Sequence, residues 1–440
     1  MFVTIADIRS HLEMLLRNKL LLFGVVLSVL LCFSLVVSVD AASMWSQTYG
    51  GADTAEAAYS LIATSDGGYA LAGSIAPSGT LNEDFWLVKT DALGNMEWNR
   101  TYGGWGSEIA NSLVATSDGG YALAGRAIPF GAGYPPYYNY TFCLVKTDAV
   151  GNMQWNQTYG KGTTSSATSL IATADGGYAM AGYPFLFKTD ALGNVEWNQT
   201  YPATAGWFPG EWSVVAASDG GYAIAGNSMS DFLLIKTDSL GNMQWNRTYG
   251  GPDTADVAYS LIVTSDGGYA LAGIFNTTDY TREGGTETDF YLVKTDASGN
   301  MQWNKTYERA RNDHAWSLVA TSDGGYALAG NAYASPYWNS TDFWLVKTDS
   351  FGNELWNRTY GGTGSDIAFS LVATSDGGYA IAGGTGSFGA GNVWLVKTDE
   401  FGVVPEYSSW LIPALVLTAT AFIIINKKRL LHKRSRASTS

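Results

Sequence analysis

Residues 60–73 read SLIATSDGGYALAG, residues 85–91 read FWLVKTD, and residues 94–102 read GNMEWNRTY. With small changes this string returns along most of the chain. Its tryptophan register runs Trp45, Trp98, Trp155, Trp197, Trp245, Trp303 and Trp356, at spacings of 42 to 58 residues. Self-similarity at that period marks a repeat architecture. Within one repeat, four short runs read as strands: Ser60–Thr64, Tyr69–Gly73, Phe85–Asp91 and Met96–Tyr102. Branched and aromatic residues crowd these runs, as a pleated and half-buried surface favours. Ser65-Asp66-Gly67-Gly68 and Ala92-Leu93-Gly94-Asn95 separate them as tight turns, with glycine where positive φ is needed. Four antiparallel strands at this period predict a β-propeller blade.

The count at the two ends predicts closure. D-G-G-Y occurs seven times, at Asp66, Asp118, Asp175, Asp219, Asp266, Asp323 and Asp376. The K-T-D strand also occurs seven times, ending at Asp91, Asp148, Asp190, Asp238, Asp296, Asp349 and Asp399. The W-x-x-T-Y strand occurs seven times as well, but Trp45–Tyr49 precedes every other element and nothing equivalent follows Asp399. The first strand is therefore expected to complete the last blade, which removes an exposed sheet edge. The fold class is all-β: a seven-bladed β-propeller of four-stranded antiparallel blades, closed by the N-terminal strand.

The pattern YGG…DGGYALAG…FWLVKTD…GN..W, over residues 45–402, resembles the DGGY-type repeats of secreted and surface proteins of archaea and bacteria. That resemblance also implies propellers. The element Asp91-x-x-Gly94-x-x-x-Trp98 is similar to the tryptophan-docking motif of quinoprotein propellers, one residue shorter, and implies that each tryptophan packs between neighbouring blades. Val404-Pro405-Glu406-Tyr407-Ser408-Ser409-Trp410 resembles archaeal C-terminal anchoring signals with a P-E-F start, Tyr407 standing where those have Phe.

Outside the repeats, Leu20–Val39 is uninterruptedly apolar, with Arg9, Arg17 and Lys19 before it and Ala41-Ala42-Ser43 after it. Residues 1–43 read as a signal peptide or signal anchor. Residues 403–409 read as a short juxtamembrane linker. Residues 410–426 read as a transmembrane helix with Tyr407 and Trp410 at one interface, and residues 427–440 as a basic cytoplasmic tail. The expected placement is the cell membrane, with residues 44–402 extracellular. Residues 40–406 hold 37 acidic and 16 basic side chains, a formal charge of about −21. Such a field excludes nucleic acid as a partner. Cys143 is the single cysteine of the repeat region, so no internal disulfide is available there.

In a four-stranded meander the first and third connections share one face and the second and fourth the other. The former are nearly invariant and the latter vary, which marks the variable face for binding. It is expected to carry exposed aromatics for a protein or glycan: Phe130, Tyr134, Tyr137 and Tyr138, then Trp207 and Trp212, then Trp338. Asn139, Asn276 and Asn339 begin loop sequons expected to be glycosylated. Further N-x-T triplets open at Asn99, Asn156, Asn198, Asn246, Asn304 and Asn357 within outer strands. Glu56, Glu108, Asp256, Asp313 and Asp366 recur five residues before the Leu of the innermost strand, expected at the channel mouth. They could ring a hard cation such as Ca²⁺, or each could accept backbone amides in its own entry turn, which is the simpler reading.

Catalytic residues are scarce. His314 is the single histidine of residues 44–402, and no G-x-S-x-G, H-E-x-x-H or P-loop is present. The chain is expected not to be an enzyme and to need no cofactor. The leading reading is a membrane-anchored extracellular module binding a protein or glycan. The alternative is a structural component of the cell envelope, and a third is a quinone-dependent or carbohydrate-active enzyme.

Overall fold

Each D-G-G-Y turn is built by its own side chains. Asp66 Oδ1 accepts the Gly68 amide at 3.1 Å and the Thr64 hydroxyl, while Gly67 sits at φ 85°. Asp66 Oδ2 takes the Nζ of Lys89 at 2.7 Å, and that ammonium also donates to the Thr90 carbonyl at 2.8 Å. The first turn is thereby tied to the third strand, which explains why D-G-G and K-T-D recur together. The same ion pair forms in all seven blades, through to Lys397–Asp376 at 2.7 Å. In the second blade the Lys146 ammonium and the Thr116 hydroxyl hold the Asp118 carboxyl down at about 2.

The computed structural model describes residues 44–404, except 81, 105, 128–139, 161–164, 202–210, 229–230, 252–255, 278–286, 310–311, 334–339 and 390. The expected signal segment, the transmembrane helix and the basic tail lie outside the described residues. So does the linker beyond Val404. The described residues form 28 strands and no helix.

The strands make seven four-stranded antiparallel sheets. The first blade is β2 (Thr54–Ala63), β3 (Tyr69–Pro77), β4 (Asp84–Thr90) and β5 (Met96–Tyr102). Five further blades follow in chain order. The seventh is β26 (Asp366–Ala373), β27 (Tyr379–Thr385) and β28 (Asn392–Thr398), with β1 (Trp45–Tyr49) as its outermost strand. The register Trp45↔Lys397 through Tyr49↔Val393 is the closure expected from the repeat count.

The junctions between blades are as regular as the blades. The indole of Trp45 lies over Gly94 of the first blade, so close that a methyl there would come within 2.3 Å of it. Beside it, the Tyr49 hydroxyl donates to the Gly94 carbonyl at 2.7 Å. Equivalent tyrosine bonds cross the other six junctions, ending with Tyr360 to Gly402. Nearer the axis, at six junctions the amide of the next blade's Leu or Val meets a serine hydroxyl of the blade before. Leu113 donates to Ser60 at 3.1 Å and Leu61 to Ser370 at 3.0 Å, and six such bonds stitch the innermost strands together. The core lies between blades. Leu71 and Val88 of the first blade pack with Tyr49 and Leu395 of the seventh.

Candidate functional site

Two features set up the site: a bulge in the innermost strands and an inequality between the two faces. In five blades the ladder slips at the innermost strand, for example between Ala58 and Ser60, leaving Tyr59 unpaired. The bulge drives the Ala57 carbonyl onto Gly73, where a Cβ would sit 1.7 Å from it. This close approach is why the A-L-A-G segment ends in glycine.

The bulged residues line the channel. Tyr59, Phe369, Trp316 and Tyr259 form a continuous arc of rings with centroids 5.1, 5.8 and 4.3 Å apart in turn. Trp316 Nε1 donates to Asn331 Oδ1 at 2.8 Å, and His314 packs edge-on against the same indole at 5.7 Å. Burial lowers the His314 pKa, favouring the neutral imidazole. Opposite the arc stand Asn111, bonded to Ser166 at 2.9 Å, and Thr168. Glu211 acts electrostatically on Tyr59 of the first blade and Tyr259 of the fifth, which places it near the axis. Its side chain is exposed by surface area but crowded by surrounding protein, which pushes its carboxyl up, and Arg126 opposes that rise. The guanidinium of Arg126 lies 4.6 Å from the Tyr140 ring centroid. The channel thus offers half-buried aromatic faces beside a carboxylate and a cation.

The connections of one face are five residues long in every blade: 64–68 and 91–95 in the first, 374–378 in the seventh. Those of the other face run from two residues (183–184) to thirteen (128–140). Because Trp45 pairs with Lys397, residues 44 and 404 both leave from the invariant face.

Several expected site residues are placed differently. Trp212, expected as an exposed aromatic, is 1% exposed. It packs between Tyr183 at 5.7 Å and Tyr201 at 6.1 Å, with its backbone bonded to the Thr168 hydroxyl. Its blade starts the innermost strand at Ser213 without the bulge, so this ring turns into the blade junction instead of the channel. Asn276 is not in a loop: it lies in β19 (Tyr269–Thr277), opposite Thr288. Phe130, Tyr134, Tyr137, Tyr138, Trp207, Trp338, Asn139 and Asn339 lie outside the described residues.

The five acidic residues do not ring the channel mouth. Glu56, Glu108, Asp256, Asp313 and Asp366 are buried at separate blade junctions, under the connection arriving from the preceding blade. Glu56 Oε1 accepts the Gly51 amide at 3.2 Å, Asp313 Oδ2 the Arg309 amide at 2.8 Å, and Asp366 Oδ2 the Gly362 amide at 3.2 Å. Among the described residues, no group of three or more His, Cys, Asp or Glu is arranged to hold a metal ion. Acidic neighbours are paired across several of these junctions, Asp84 beside Glu108 and Asp342 beside Asp366.

One such cluster titrates near neutrality. Burial, then Glu308, Asp313 and Glu287, push the Asp289 carboxyl up to about 7. A carboxyl whose folded value exceeds its unfolded value of about 3.9 favours the fold while protonated, and that contribution is lost as pH rises from about 4 to 7. Asp289→Asn is therefore expected to raise the melting temperature at pH 8 by roughly 1–2 °C, solvent screening keeping the effect small. The difference should vanish at pH 4, as calorimetry at both values will show.

The aromatic arc was not among the residues singled out from sequence. Its signal is the ring directly before Ser-Leu at Tyr59, Tyr259, Trp316 and Phe369.

No protein-family model matches the chain, and no curated protein matches it. Solved structures do. The WD40 domain of Neurospora crassa Pan2 is similar at TM-score 0.50 and 7% identity, over 82% of this chain and 100% of that one. Chaetomium thermophilum Sqt1 gives 0.47 and 12% over 80% and 97%. A protein of unknown function from Bacteroides caccae gives 0.42 and 14% over 70% and 94%. At such identity the Pan2 likeness concerns the fold alone.

Proposed function

We propose that this propeller is an extracellular, membrane-anchored binding module that holds a protein or glycan across its variable face and channel mouth. The observation that carries the reading is the inequality of the faces: five-residue turns throughout on one, and connections of two to thirteen residues on the other. The channel arc supports it, because half-buried rings stack on the apolar faces of sugars or anchor a partner's side chains. Residues 44 and 404 leave from the invariant face. The formal charge of about −21 over residues 40–406 favours neutral or cationic partners. In this reading Asn139 and Asn339 are glycan acceptors.

The test is a glycan array, with a pulldown from the native envelope, using the detergent-solubilised full chain. Saturable binding is expected, weakened about tenfold or more by Trp316→Ala with Tyr259→Ala, the loss of a pair of hot-spot rings. Absence of any ligand together with lateral self-association would replace this reading with a structural envelope component. An absorbing cofactor that copurifies with the chain would replace it with an enzyme.

A further inference from the structure

The seven junctions share one packing rule, and a single junction breaks it. At the second position of the K-T-D strand the blades carry, in order, Trp86, Cys143, Phe185, Leu233, Tyr291, Trp344 and Trp394. This side chain faces the preceding blade, usually against that blade's phenylalanine. Phe142 meets Phe185 and Phe187 at 6.4 and 5.0 Å, and Phe232 meets Tyr291 at 5.0 Å. Phe290 meets Trp344 at 4.3 Å, and Phe343 meets Trp394 at 4.7 Å. Where the seventh blade offers Val393, Trp86 fills the space. Where the fourth blade offers only Leu233, Trp212 and Tyr201 occupy the junction. Between the first and second blades, Phe85 faces Cys143, and among the described residues no ring takes the missing place.

A cavity of about 580 Å³ lies there, walled by Phe85, Cys143 and Val145 and reaching Glu108 at one end. That volume falls within the roughly 300–1,000 Å³ typical of small-molecule sites. Glu108 is 9% exposed; its carboxylate accepts the Gly104 amide, yet Oε2 is buried with no hydrogen-bond partner. A buried carboxylate oxygen left without a donor is costly. Asn156 lines the same space. Its counterpart in the sixth blade, Asn357, accepts the indole N–H of Trp344 at 3.3 Å. The groove thus retains the apolar wall and the acceptor that an indole uses elsewhere in the repeat, with the recurrent junction acid Glu108 at its end.

We propose that the groove between the first two blades binds a small aromatic amine, its ring seated on Phe85, Cys143 and Val145 and its ammonium paired with Glu108. An apolar cavity of this kind takes up a ring of matching size, as cavities opened by large-to-small substitution do. Burial, and then the neighbouring Asp84, raise the Glu108 pKa; the ammonium supplies the donor that Oε2 lacks and offsets that crowding.

The experiment is calorimetric titration of the full chain with tryptamine, and with indole and butylamine as partial probes, alongside thermal shifts. Tryptamine is expected to bind saturably and to raise the melting temperature, with indole weaker and butylamine silent. Cys143→Trp, which restores the ring present in three other blades, should reduce tryptamine affinity at least tenfold. Cys143→Phe gives the same reading if the indole overfills the site. Glu108→Gln should abolish the preference for tryptamine over indole. Absence of binding at millimolar tryptamine, or undiminished binding to both folded Cys143 variants, overturns the proposal. So does binding that appears only after residues 128–139 are deleted, because the chain itself would then be the occupant.

Discussion

A chain that starts at Gly50 is expected not to fold to a soluble monomer. Removing β1 strips the seventh blade of the strand that pairs with β28 and deletes the Trp45 and Tyr49 contacts with Gly94. The ring would then have six intact junctions and one open one. The freed edge belongs to a strand buried along nearly its whole length, with Val393, Leu395 and Val396 fully enclosed. Such an edge is a template for pairing with another chain. The milder form is Trp45→Ala, which should cost about 3–5 kcal/mol as a large-to-small core change. Size-exclusion chromatography of the deletion and denaturant unfolding of the point variant measure the two effects. A peptide spanning residues 44–50 should recover part of the monomer by re-adding the strand in trans.

The second large effect is expected at the bulge glycines. In Gly330→Ala the new methyl would lie 1.8 Å from the His314 carbonyl and 2.9 Å from the Phe290 ring. The carbonyl is held by the bulge and the ring by Trp344, so neither yields without opening the blade junction. A cost of about 3 kcal/mol, the top of the usual range for overpacking, is expected. It should be accompanied by altered fluorescence from Trp316, whose bulge position depends on that approach. Gly384→Ala is the control: a Cβ there meets nothing within 4 Å, and the site should be near neutral. Equal melting temperatures for the two variants would refute the account of the A-L-A-G glycine.

Blade count, strand order and closure were readable because each rests on local chemistry that repeats: Asp66 caps its own turn, Gly94 accepts positive φ, and Trp45 stands apart from every other element. The channel arc was not readable by alternation alone. A bulge adds one residue to a strand without changing its composition, so Tyr59 looks like an ordinary strand position; the glycine across the ladder is what reveals it. Trp212 misled for a related reason. It occupies the same repeat position as Tyr59, but with Leu233 in the aromatic slot of its blade the junction has room, and burial there displaces the ring from the channel. The acidic series was assigned to the channel mouth from its place near the strand start. The strand begins earlier than the turn pattern suggested, at Thr54 instead of Ser60, which carries Glu56 beneath the arriving connection.

The closing strand also decides how the molecule bears force. Tension applied at residue 404 pulls on β28, which is flanked by β27 on one side and β1 on the other. A terminal edge strand would peel away one rung at a time; a clasped one must slide against two ladders at once. The load then passes to the first blade through Trp45 and Tyr49, and the serine bonds near the axis distribute it around the ring. A ring closed in this way resists being unravelled from its C-terminal strand.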